Sequence, residues 1–126
     1  MSMRSELGKV RGLGSAKSGT EHFWLQRVTA IANVPLVLFL IYFVMAHVGA
    51  PRSAVVASVK NPFCAVALCL AMISILWHMR LGLQVVIEDY VHGQATKLCA
   101  LIASGFFTFA LGAAAIFAIL KMSFGL

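Results

Sequence analysis

With 126 residues, 61% of them hydrophobic and only 11% charged, the chain has too few polar side chains to cover a water-soluble domain. A soluble catalytic domain is therefore not expected, and any chemistry belongs inside the membrane, at its surface or on a partner chain. The formal net charge of +6 reads as topology and attraction to anionic membrane lipids; nucleic acid is excluded because no basic face stays free of the bilayer.

Residues 1–26 are polar and contain "GLGSAKSGTEHFWLQR". This cytoplasmic segment is expected to be irregular or briefly helical, lying at the interface with the Trp24 indole as an anchor. Three apolar runs follow, Val28 to Val48, Pro62 to Ile87 and Leu98 to Leu120, each near or above the ~20 residues that cross ~30 Å of hydrocarbon. None alternates with a two-residue period, so strands are excluded. The expected fold is all-α: residues 27–126 form a three-helix transmembrane anchor with helices at about 28–48, 62–89 and 98–121, joined by loops at Gly49 to Asn61 and Glu88 to Lys97. The first run is not expected to be a cleaved signal, because it begins late and is too long for an h-region.

Arg4, Lys9, Arg11, Lys17, Arg27 and Lys97 fall on one side of such a bundle, and Arg52, Lys60 and Lys121 on the other. The excess of basic residues puts the amino terminus in the cytoplasm. Cys64, Cys69 and Cys99 lie in the apolar runs without C-x-x-C spacing, so they read as small packing residues rather than a metal site or a disulfide framework.

Ionisable groups at membrane depth are costly, at ~3 kcal/mol or more, and usually have a use. His78 is such a group. At 100° per residue its helix face also carries Ala67, Ala71, Ser74, Gly82 and Asp89. A stripe of small residues either admits a close helix or leaves room for a flat cofactor. The histidine itself has three readings: an axial haem ligand whose partner lies elsewhere, an interhelical hydrogen bonder, or a proton-path residue. His47 reads as interfacial, and His22 and His92 as surface residues. Arg80 and Gln84 share a face roughly opposite His78. Arg80 there either snorkels to a headgroup or meets an acid or anionic group.

Glu88, Asp89 and Tyr90 close the second run. They read either as a helix end at the membrane surface, with solvated acids and an interfacial tyrosine, or, because two acids oppose the dipole at a helix C-terminus, as groups with a further use. A phenol donates to a carbonyl, and a neighbouring carboxylate orients it or relays protons; membrane quinone reduction needs that combination. Tyr90 lies ~18 Å from His78 along the axis. At the cytoplasmic border of the first run Arg27 either sets topology or pairs with anionic haem propionates. Pro35 is expected to bend the helix, with Thr29 or Asn33 near the freed backbone groups. Ser104, Thr108 and Gly112 form a small face on the third run that predicts tight helix contact.

The segments "GLGSAKSGTEHFWLQRVTAIA" and "HMRLGLQVVIEDYVHG" are similar to the two characteristic segments of the hydrophobic membrane anchor of succinate dehydrogenase, respiratory complex II, in its alphaproteobacterial form. The specific part is a histidine followed twelve residues later by tyrosine, with aspartate directly before it. The resemblance implies half of a heterodimeric anchor bundle in a bacterial inner membrane, in which His78 is an axial ligand of a b-type haem. It implies that Tyr90 hydrogen-bonds ubiquinone with Asp89 in support, and that Arg27 lies near the haem propionates. The implied partners are a second, cytochrome b556-type anchor, an iron–sulfur subunit and a flavoprotein, and the chain is not an enzyme by itself. Two alternatives are an anchor of a fumarate reductase and a small transporter or channel accessory subunit in which His78, Arg80 and Asp89 line a proton path.

Overall fold

The computed structural model describes residues 5–12 and 18–125. Its elements are α1 (Glu6–Val10), α2 (Ser18–His47), α3 (Arg52–Val59), α4 (Pro62–Tyr90) and α5 (Gln94–Phe124), with no strand among the described residues. Helices α2, α4 and α5 have 30, 29 and 31 residues. At 1.5 Å per residue each is ~45 Å long, so all three overshoot the hydrocarbon layer. Their apolar stretches make three candidate membrane spans, Gly19–His47, Pro62–Tyr90 and Gln94–Phe124.

The helices run further than the apolar runs that announce them. α2 starts at Ser18, well before Val28: from there to the hydrocarbon the polar stretch holds no proline, its one glycine, Gly19, falls in the first turn, and Glu21 favours the positive end of the dipole. Much of the segment expected to be irregular or briefly helical is therefore helix, continuous with the first span, while Arg4 and Lys17 lie outside the described residues. The second loop is also shorter than expected, only 91–93, since the ends of α4 and α5 continue as helix through Tyr90 and from Gln94. The first loop contains α3, which the hydropathy pattern does not announce. α4 begins where Asn61 accepts a hydrogen bond from the Phe63 N–H at 3.0 Å and Pro62 occupies the first helical position.

α4 is the central helix, packed against α2 on one side and α5 on the other. The best-buried cluster joins Val59, Ala65, Leu68 and Ile119, with Phe39, Phe43 and Met122 against it, so α3 plugs one end of the bundle. His47 secures that plug. Its Nδ1–H donates to the Phe43 carbonyl at 2.7 Å, which leaves Nε2 to accept from the Ser58 hydroxyl at 2.8 Å. Both ring nitrogens are engaged, so His47 has none left for a metal.

Most large apolar side chains point outward, among them Ile31 at 73%, Phe106 at 73% and Phe109 at 77% exposure. In a membrane these surfaces meet lipid or another chain. Pro35 lies inside α2 without ending it.

The small face of α5 does pack. Thr108 is buried and returns its hydroxyl to the Ser104 carbonyl at 2.8 Å. A Cβ on Gly112 would lie 3.2 Å from Leu76 Cδ1, so alanine displaces one flexible methyl, whereas leucine has no room. Gly112→Leu is expected to destabilise the α4–α5 contact by about 1–3 kcal/mol. Gly112→Ala should cost less, and thermal unfolding of both variants in detergent checks the order.

Candidate functional site

The site is built where α2 passes α4. Thr29 Oγ1 donates to the Leu25 carbonyl at 2.7 Å, with the Gln26 carbonyl at 3.2 Å. The same oxygen lies 3.0 Å from His78 Nδ1. A hydroxyl has one proton, and here it goes to the helix's own carbonyls, so towards the imidazole Thr29 accepts from Nδ1–H. That assignment corresponds to the Nδ1–H tautomer, which carries its lone pair on Nε2. Hydrogen bonds between membrane helices contribute only ~1 kcal/mol; the consequence that matters is a fixed ring with a free Nε2.

Beside this pair is a pocket of ≈ 240 Å³ lined by Phe23, Gln26, Arg27, Ala30 and His78. It is smaller than the ~300–1,000 Å³ of self-sufficient ligand sites and suits a group whose remainder another chain covers. Arg27 stands 4.0 Å above the Phe23 ring, which holds the guanidinium by a cation–π contact. His78 and Arg27, singled out separately in the sequence, thus line one pocket.

The small stripe around His78 differs along its length. Ala71 is fully buried and allows close helix approach, whereas Gly82, one turn beyond His78, has nothing within 4 Å of a would-be Cβ. Three polar atoms are buried without a partner among the described residues: Ser74 Oγ, Asn33 Oδ1 and His22 Nε2. Since α2 and α4 are antiparallel with Thr29 opposite His78, Asn33 and Ser74 are level with each other one turn away. His22 is partly buried rather than a surface residue, and His92 is exposed as expected. Thr29, expected only near the backbone groups freed by Pro35, instead serves His78.

Tyr90, at 77% exposure, and the exposed Asp89 sit at the end of α4, away from the pocket of His78 and Arg27. Their neighbour Glu88 is accounted for. Gln84 Nε2 donates to its Oε1 at 2.8 Å, and Lys97 Nζ donates to its backbone carbonyl at 2.8 Å. The ammonium at the helix C-terminus offsets the unfavourable acids there. Arg80 lies on the α5 side of α4, its Nη2 3.9 Å from a would-be Cβ of Gly105, in an apolar groove shared with Trp77 and Phe109.

Among the described residues no group of three or more His, Cys, Asp or Glu could hold a metal ion. One imidazole with a free nitrogen beside a guanidinium, in a small pocket completed by Phe23, Gln26 and Ala30, has the donor types that would hold one side of a haem.

The model of the succinate dehydrogenase/fumarate reductase transmembrane subunit matches residues 1–119. The chain belongs to this family. Its relatives include the succinate dehydrogenase hydrophobic membrane anchor subunit of Rickettsia bellii, 43% identical over 70% of each chain. That of Paracoccus denitrificans is 34% identical over 92% of this chain and 89% of its own, and the succinate dehydrogenase membrane anchor subunit of Reclinomonas americana is 35% identical over 65% and 71%. No solved structure matches the chain. Family membership and three long apolar helices together make it a multi-pass transmembrane subunit.

Proposed function

We propose that the chain is the membrane anchor subunit of a bacterial succinate:ubiquinone oxidoreductase, lying in the inner membrane with its amino terminus in the cytoplasm. The names of its relatives favour succinate oxidation over fumarate reduction. His78 would hold haem b through Nε2, together with a residue of a second, cytochrome b556-type anchor, and Arg27 would meet the propionates. When bound, the haem provides a one-electron carrier within the membrane. Tyr90 donates its phenolic proton's hydrogen bond to a ubiquinone carbonyl, and Asp89 orients the phenol or passes a proton from the aqueous side. Electrons arrive from an iron–sulfur subunit fed by a flavoprotein.

The observation that carries this reading is the shared pocket of His78 and Arg27, with Nε2 free to ligate. The apolar window of α2 has no buried residue, which leaves that helix face available for the second anchor. The test is the optical spectrum of the complex purified through a tag on this chain. A b-type absorbance should co-purify with it, and Arg27→Gln should weaken haem retention about tenfold, ~1.4 kcal/mol. A colourless, fully assembled complex contradicts the proposal.

A further inference from the structure

We propose that Thr29 is the positioning residue of this site: it holds His78 as the Nδ1–H tautomer and fixes the plane in which Nε2 meets the iron. The inference rests on the haem reading above and adds a residue on the neighbouring helix to it. Two contacts carry it. The Thr29 hydroxyl is 2.7 Å from the Leu25 carbonyl, where only donation is possible, and 3.0 Å from His78 Nδ1, where it must then accept. The ring is thereby tied to α2, a different helix from its own, and any rotation about its Cβ–Cγ bond breaks the contact.

The consequence is electronic as well as steric. A ligating histidine normally gives its second N–H to a neighbour, which orients the ring and raises the basicity of the ligating nitrogen. A threonine hydroxyl whose own proton is held by a backbone carbonyl is a better acceptor than a free one, through hydrogen-bond cooperativity. Among the described residues, this hydroxyl is the hydrogen-bond partner of Nδ1. Removing the acceptor makes the imidazole a weaker donor to iron, which favours the reduced state. Because α2 also carries Arg27, two residues earlier, one helix sets both the ligand plane and the propionate end of the pocket.

The test uses the complete complex purified from membranes, with Thr29→Val, which keeps the shape but not the acceptor, and Thr29→Ser, which keeps the acceptor. The readouts are the haem midpoint potential and the low-spin electron paramagnetic resonance g-values. Thr29→Val is expected to raise the ratio of reduced to oxidised haem about tenfold at a fixed ambient potential, a shift of ~59 mV for a one-electron couple, and to move the g-values. Thr29→Ser should restore both. If Thr29→Val does not assemble, Thr29→Cys, whose thiol is a weak acceptor, carries the same readouts. Wild-type potential and g-values in an acceptor-less variant overturn the positioning role while leaving the haem reading intact. Absence of haem from the wild-type complex overturns both.

Discussion

Complex carrying His78→Leu is expected, on the proposed haem reading, to lose b-type absorbance while the chain remains in the membrane. Leucine fills the space of the ring at membrane depth without introducing a polar group, and the only interhelical bond removed is the one to Thr29, worth ~1 kcal/mol. Helix packing should therefore survive, because the buried cluster around Val59, Leu68 and Ile119 is remote from this pocket. Coordination does not survive, since leucine offers no lone pair. Haem content per mole of complex, measured as the pyridine haemochrome, should fall by on the order of tenfold or more, since loss of the ligand itself should cost at least the roughly 10–100-fold that loss of a ligand's supporting hydrogen bond does. Full retention with an unaltered spectrum removes His78 from the site.

The second large effect concerns the end of α4. Tyr90→Phe removes one hydroxyl from an exposed side chain, so folding should be nearly indifferent to it. If the phenol holds a quinone carbonyl, loss of that bond at a site closed by partner chains lowers succinate-to-ubiquinone turnover by about 10–100-fold, equivalent to ~1.4–2.8 kcal/mol. Asp89→Asn should act in the same direction by removing the proton acceptor beside it. Succinate oxidation by a soluble dye should remain unchanged in both variants, because those electrons leave before the membrane. A parallel fall of both activities indicates failed assembly instead.

The spans were legible because hydropathy over ~20 residues is a strong signal, and so was the tight α5 face, whose Thr108 and Gly112 both lie against neighbours. Helix ends were less so, since hydropathy marks the edge of the hydrocarbon while helix geometry continues through Ser18–Gln26 into the interface. α3 carried little local signal. Eight residues are too few to form a stable helix alone, and this helix is held by burial of Val59 and by the His47–Ser58 bond.

At the site, His78, Arg27, Asp89 and Tyr90 stood out as ionisable or phenolic groups in an apolar context. Thr29 did not. A hydroxyl within a span is commonly satisfied by its own helix, and its second partner is 49 positions away, across a register that no single span reveals. The same limit hid Lys97, whose contact with the Glu88 carbonyl explains a charge pattern that looked unfavourable along one helix. Pairwise polar contacts between helices depend on rotation and register together, and composition constrains neither.

The central question is whether His78 Nε2 is bonded to iron. A cryo-electron microscopy map of the whole complex measures this directly. The expected result is a porphyrin between α4 and a helix of the second anchor, its iron bonded to His78 Nε2, with Thr29 at Nδ1 and Arg27 at a propionate. An imidazole facing lipid, or a porphyrin ligated by other residues, contradicts it.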